Sequence, residues 1–437
     1  MRDLCWWFCL VLLPWSAVGQ TGPTEDILIP AQKAYRQGHY AEAESLYLLA
    51  EKETESEGLN EPRLAKILNN LGVLYQREAR YGEAEKVLRR AMEIWQKQAD
   101  RKPLELATVL NNLASLYTFQ SRYTEAEPLY RACLELREKN LGPEDLKVAN
   151  ALNNLGEFYW EQGKVVEAEP LYRRAILIKE KTLGPEDPGL AASLNNLASV
   201  YMQQGKYVES EALYKRSLAI RQAVFGPEHP EVANSINNLA SLYSLQGRYV
   251  EAEPMLLRSL LMAEKYFGPD HPDVACNLNN LAELRFSQKK YAEAETLLRR
   301  ALAIREKAFG PDSPPVAEIL DNLGGDLLME YKQLNVDPLY LRSLAIRKKV
   351  FGPESSPVVN SLNSLAAAYI QEGKYPEAEK TYSAALALIV KQPKPDAPAL
   401  AAVYFNLAVL YQREGKHKKA KKMAEKAKSV RDSAASS

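Results

Sequence analysis

The sequence is poor in the residues that most catalytic and ligand-holding folds require. Only 21 of 437 residues are glycine, few for a barrel or a Gly-rich nucleotide fold. Four cysteines in this length do not make a disulfide framework. Neither sign of charge dominates, because Lys+Arg and Asp+Glu are both 56. A globally basic nucleic-acid binder and a globally acidic chain are therefore excluded. There is no phosphate-cradling Walker loop, no Gly-x-Ser-x-Gly and no Cys-x-x-Cys. Strand-type alternation is absent, and only one long apolar run occurs, at the N-terminus. What remains is 46% hydrophobic and 26% charged, the balance of a soluble folded protein. At about 150 residues per domain, length alone suggests about three domains.

The N-terminus has a charged start, Met1-Arg2-Asp3, then an apolar stretch from Leu4 to Trp15, then Ala17-Val18-Gly19. This matches a secretory signal peptide, residues 1–19, cleaved after Gly19. The run is short of the roughly 20 residues that a membrane span needs. Cys5 and Cys9 lie inside the apolar core, which does not suit a lipid-anchor site. The mature chain is expected to be exported, periplasmic or secreted, with no stable membrane span. It keeps Cys133 and Cys276, both expected as small core residues.

An internal repeat dominates the rest. An Asn pair followed by Leu occurs at Asn69-Asn70, Asn111-Asn112, Asn153-Asn154, Asn195-Asn196, Asn237-Asn238 and Asn279-Asn280, each step 42 residues. It continues in altered form at Asp321-Asn322, Asn363-Ser364 and Phe405-Asn406. A Gly-Pro turn keeps the same beat from Gly142-Pro143 to Gly352-Pro353. Small residues recur as well, as in Ala168 and Ala175, and Cys133 fills a slot that otherwise takes Ala or Ser. Each unit reads as two helices. Leu190, Leu194, Leu197, Ala198 and Tyr201 form one apolar stripe, and Ala168, Leu171, Tyr172, Ala175 and Ile176 form the next. Leu183-Gly184-Pro185 ends the second helix. A lone helix pair cannot bury its stripe, but stacked pairs can. The fold class is all-α.

These residues resemble the tetratricopeptide repeat. Leu71-Gly72 with Tyr75, Leu113-Ala114 with Tyr117 and Leu155-Gly156 with Tyr159 match its Leu-Gly/Ala-x-x-Tyr, and Ala168, Tyr172 and Ala175 match its second helix. The 42-residue length is similar to the longer subtype found in kinesin light chains and in many bacterial proteins. The resemblance implies a right-handed α-solenoid, a superhelix of about ten helix-turn-helix units. Residues 20–58 form an imperfect first unit, with Pro30 shortening its first helix. Residues 59–415 are the tandem units, and 416–437 a basic capping helix and tail.

The resemblance further implies a concave groove, lined by the first helices, that binds peptides. The first Asn of each pair is expected there: Asn69, Asn111, Asn153, Asn195, Asn237, Asn279 and Asn363. An asparagine amide can grip an extended backbone without reading its sequence. The second Asn is expected to brace the neighbouring helix. Two further rows share the face. One reads Val73, Ser115, Glu157, Ser199, Ser241 and Glu283. The other includes Gln76, Thr118, Trp160, Met202, Ser244 and Phe286, and becomes more apolar toward the C-terminal half. Neither row is basic, so capture of a terminal carboxylate is not expected; an extended segment with apolar side chains is.

The copy at 311–346 is irregular, with Gly324-Gly325 in its first helix and Lys332 to Pro338 replacing the usual turn. It reads either as drift or as a hinge. Prolines 128, 170, 254 and 338 fall within second helices and each removes one backbone hydrogen bond. His229 and His271 share one loop slot, but metal sites need tighter convergence. No cofactor, metal or catalytic residue is assigned. The expected function is a non-catalytic scaffold for a peptide or protein segment. The alternative is a structural or self-associating subunit of a cell-envelope complex. Nucleic acid is not an expected partner; the C-terminal lysines read as the solvated face of the capping helix, with a weak contact to an anionic surface as the alternative.

Overall fold

The computed structural model describes residues 25–36, 39–56, 61–78, 80–330, 336–391 and 397–435. The expected signal peptide at 1–19, with Cys5 and Cys9, lies outside the described residues, as does the turn at 331–335. Among the described residues there are twenty helices and no strand. No described helix is long and apolar enough to cross a membrane.

The chain divides into two compact units, one up to Leu242 and one from Tyr243 onward. The first holds α1 (Glu25–Arg36), α2 (Tyr40–Ser56), α3 (Glu61–Arg77), α4 (Tyr81–Gln96), α5 (Pro103–Phe119) and α6 (Tyr123–Leu141). It continues with α7 (Leu146–Glu161), α8 (Val165–Leu183), α9 (Pro188–Gln203), α10 (Tyr207–Phe225) and most of α11 (Pro230–Leu245). The second holds α12 (Tyr249–Phe267), α13 (Pro272–Ser287), α14 (Tyr291–Phe309), α15 (Pro314–Glu330) and α16 (Asp337–Phe351). It ends with α17 (Ser356–Gln371), α18 (Tyr375–Lys391), α19 (Ala397–Arg413) and α20 (His417–Ala435). Each unit is an all-α solenoid of helix-turn-helix pairs. Helix α1 is only 12 residues long and contains Pro30. Helix α20 is the second member of the last pair and packs on α19.

Local chemistry sets the helix ends. Asp145 and Asp187 cap α7 and α9 by accepting from the backbone N–H two residues on, at 2.7 and 2.8 Å. His271 caps α13 in the same way through Nδ1, and the His229 Nδ1 accepts from the Glu231 N–H at 3.2 Å. Each imidazole stacks on a phenylalanine four residues earlier, Phe225 or Phe267. Gly142 closes α6 at φ +85°, a conformation that side chains resist.

The Gly/Ala of the repeat motif has a packing cause. A Cβ on Gly156 would lie 2.9 Å from the Tyr172 ring, and one on Gly72 would lie 2.4 Å from Leu88 Cγ. The first helix must be small where the second presents its largest side chain. Gly324 answers Tyr340 in the same way, and α15 runs unbroken through Gly324-Gly325. Pro338 differs from the other second-helix prolines, because α16 starts at Asp337 and the proline falls in its first turn, where a missing N–H costs nothing.

Between successive pairs runs a seam of buried cations. Arg137, Lys179 and Arg221 donate to the carbonyls of Lys147, Gly189 and Glu231 at 3.0, 3.0 and 3.2 Å. Arg305 is fully buried against Glu318, and Arg347 is partly buried against Asp321 and Ser361. Burial pulls the Lys179 ammonium down to about 8. Cys133 is a small core residue. Cys276 is only partly buried, with its Sγ 3.2 Å from Arg305 Nη2, so it belongs to the seam rather than to the apolar core.

Candidate peptide-binding face

Odd-numbered helices touch their odd neighbours within each unit: α3 with α5, α5 with α7, α7 with α9, and later α15 with α17 and α17 with α19. Among the described residues no two even-numbered helices approach each other as closely as these odd pairs do. The odd layer is therefore the more tightly spaced, inner wall.

The Asn pairs lie in this wall and bond diagonally across it. Asn112 donates to Asn69, Asn154 to Asn111, Asn322 to Asn279 and Asn406 to Asn363, at 2.7–2.9 Å. The two members of a pair thus work together. The second Asn of one copy braces the wall by holding the first Asn of the copy before it. Asn69, Asn111 and Asn363 are half-buried, whereas Asn153, Asn195, Asn237 and Asn279 are buried. Asn153 donates to Ser193 at 2.7 Å and its Oδ1 has no hydrogen-bond partner. Neither amide atom of Asn195, nor the Oδ1 of Asn237, has one either. Trp160 and Phe286 are half-buried, Phe286 against Tyr291, and Met202 is buried.

The repeat tyrosines reach the other way. Tyr117, Tyr159 and Tyr411 donate to Glu85, Glu127 and Glu379 of the preceding second helix at 3.1, 2.8 and 2.7 Å. Arg122 joins the first of these at 2.7 Å and sits over the Tyr117 ring. Burial raises these carboxyls, but hydrogen bonds and cations outweigh it and hold Glu85, Glu127 and Glu169 below their ordinary value. The glutamates opening the second helices are thus interface ligands, not only solvated charges.

The inner wall of α7 behaves oppositely. Burial pushes the Glu157 carboxyl up to about 7, and burial followed by the charge of Glu157 pushes Glu161 up to about 8. The Tyr130 and Tyr172 hydroxyls adjoin both and are raised by burial and then by these carboxylates, with Thr118 and Ser115 bonding Tyr130. Sequence reasoning placed Glu157 in a row of the face but missed this pair. The available signal was two glutamates four apart where adjacent copies have Ser115 and Phe119, or Ser199 and Gln203, and no cation in either. No group of three metal-ligating side chains occurs among the described residues.

The sequence profile of the tetratricopeptide repeat matches residues 63–139, 105–181, 147–201, 189–265, 236–307, 273–332 and 357–433. The chain belongs to the tetratricopeptide repeat family, in 42-residue copies, and its class is that of a protein-interaction scaffold. Among solved structures, Rap protein complexed with competence and sporulation factor matches 85% of this chain and 98% of its own at 16% identity and a TM-score of 0.52, a likeness of fold. BtubC (BKLC) from P. vanneervenii matches 52% of this chain and 91% of its own at 25% identity and a TM-score of 0.44. The nearly identical TPR-like repeats of a Podosopora anserina protein assigned as a kinesin light chain match 47% of this chain and 97% of their own, at 28% identity and a TM-score of 0.40. No curated protein sequence gives a significant match.

Proposed function

We propose that this chain is an exported, non-catalytic scaffold that holds an extended peptide segment along the odd-helix wall. The observation that carries the reading is the set of buried amide atoms that the protein leaves unmatched, the Oδ1 of Asn153 and Asn237 and both amide atoms of Asn195. A buried unsatisfied polar group costs about 1–3 kcal/mol, so its repetition in register supports a role in binding. Asn69, Asn111, Asn279 and Asn363 extend the row, and Trp160, Met202 and Phe286 supply its apolar side. Export rests on the sequence of residues 1–19 alone. The test replaces Asn195, Asn237 and Asn279 together by Ala and measures capture of partners from cell-envelope extract by quantitative mass spectrometry. Capture should fall while helicity is kept; unchanged capture overturns the groove.

A self-associating envelope subunit is the second reading. It draws on Val166 and Val208, which occupy one slot of successive second helices and are 77% and 80% exposed. A defined homo-oligomer in light scattering would favour it over the scaffold. Contact of α20 with an anionic surface draws on its seven Lys and Arg against Glu425 and Asp432. Failure to bind anionic vesicles at low salt would exclude that contact.

A further inference from the structure

Three acceptor-bearing side chains line one face of α7 at four-residue steps: Asn153, Glu157 and Glu161. Residues four apart on a helix are neighbours. Most glutamates of this unit that are drawn into packing have found a donor, as Glu85, Glu127 and Glu169 have. Glu157, half-buried, and Glu161, exposed at the end of the same face, have neither a hydrogen bond nor an ion pair among the described residues. The groups adjoining them are Tyr130 and Tyr172, from α6 and α8, and each other. The helices on either side present Ser115 and Phe119 on α5, and Ser199 and Gln203 on α9, at the matching registers. No cation faces the pair from any of these elements.

An independent observation points the same way. Asn153 is 5% exposed, spends its Nδ2 on Ser193, and keeps an Oδ1 with no donor one turn before Glu157. Asn195, at the same register of α9, is 4% exposed with its whole amide unmatched. The wall thus leaves acceptors unmatched on both helices, with the Asn195 Nδ2 as an unmatched donor on α9. Trp160, three residues after Glu157 and one before Glu161, borders the pair with an indole, the side chain whose face best receives a cation.

We propose that Glu157 and Glu161 hold the cationic side chain, lysine or arginine, of the extended segment laid across α7. The proposal rests on the groove reading above and adds a specificity that reading lacks. The segment is apolar over much of the wall, with one basic residue seated at α7. Two carboxylates one turn apart suit the forked donors of a guanidinium, and a cation would supply the charge that the protein withholds.

The test uses the intact chain at pH 8.5 and three pools of fluorescein-labelled 11-residue peptides. Flanks are randomised over Leu, Val, Ser and Asn, and the central residue is arginine, norleucine or glutamate. Fluorescence polarisation should show the arginine pool binding about tenfold more tightly than the norleucine pool, the scale of a charge-assisted bond, and the glutamate pool most weakly. In E157Q/E161Q the arginine advantage should shrink to within about twofold, with norleucine binding kept as the control for folding. In E161K the glutamate pool should gain. An arginine advantage that survives E157Q/E161Q overturns the proposal and leaves the groove standing, as does equal binding of arginine and norleucine to the unsubstituted chain. Failure of every pool to bind overturns both.

Discussion

Replacing Glu157 and Glu161 by glutamine should stabilise the protein in mild alkali and leave it unchanged in acid. In the unfolded chain both carboxyls ionise near their ordinary 4.5, whereas in the fold they keep their protons to about 7 and about 8. Between those limits the folded chain binds more protons than the unfolded one, so its stability falls as pH rises. The contribution of the pair is fully present below about 4.5, is lost progressively up to about 8, and is constant above. At about 1.4 kcal/mol per pH unit of separation, ionising Glu157 in place costs at most about 3 kcal/mol. Glu161 is more open to water, so screening makes its share smaller. Glutamine keeps the shape and removes the charge. With a urea dependence of about 3 kcal/mol/M, E157Q/E161Q should raise the unfolding midpoint by about 1 M at pH 8.5 and by almost nothing at pH 4.5. Circular dichroism at 222 nm follows the transition, each variant being compared with the unsubstituted chain at the same pH so that other carboxylates cancel. An equal change at both pH values would refute the reasoning, because it would owe nothing to ionisation. Saturating arginine peptide should shrink the alkaline difference, since a bound cation draws the protons off.

Two further pairs of substitutions test packing and the cation seam. Gly72→Ala forces Leu88 to move and should cost about 1–2 kcal/mol, whereas Gly82→Ala meets nothing within 4 Å and should gain about 0.5 kcal/mol; equal urea midpoints would contradict the close-approach account. Arg305→Met strips the counter-charge from Glu318, which is itself buried, and should cost about 3–5 kcal/mol. Adding Glu318→Leu should restore most of that loss, and a single-variant loss below about 1 kcal/mol would show that the seam is not held by charge.

Helix positions and pairing were legible because each recurs at a fixed period with a local cause. Tyr172 needs Gly156, Gly142 ends α6, and Asp187 starts α9, so the residues that shape one copy announce themselves again 42 positions on. The binding face was legible only in part. The period puts Asn111 and Asn153 in one slot, but it does not show that Asn111 holds Asn154 while Asn153 turns its Nδ2 to Ser193, because that choice depends on the next helix presenting Ser193. Features that occur once are harder still. Glu157 and Glu161 look like ordinary helix-surface glutamates until the neighbouring helices are in place, since the partial burial of Glu157 and the lack of a cation beside the pair belong to the assembled wall. Cys276 was misjudged for the same reason, its thiol lying beside an arginine 29 residues away.

The seam shows how such contacts can vary without breaking the register. The cation slot is followed, fourteen residues on, by a slot on the next helix; Arg137 and Arg305 meet apolar Ala151 and Ile319 there, whereas three other cations meet serine. Lys179, Arg221 and Arg347 face Ser193, Ser235 and Ser361, each hydroxyl accepting from the cation. Where the cation slot holds Ala263, the second slot holds Asn277. That amide donates to the Asp273 carbonyl at 2.9 Å, the position reached by Arg137, Lys179 and Arg221 in earlier copies, and accepts from Ser259 at 2.6 Å. Where the cation slot holds Ile389, the second holds Val403, and both are buried. A charged, a neutral polar and an apolar solution therefore fill one site. Exchange among them is near break-even because a buried ion's attraction only offsets its desolvation. A cation opposite an apolar slot is tolerated only with another acceptor in reach: Arg137, opposite Ala151, donates to the Lys147 carbonyl, and Arg305, opposite Ile319, pairs with Glu318. Ile389 against serine would bury a hydroxyl without its cation, so the constraint lies in satisfying each buried polar group and not in one fixed pair.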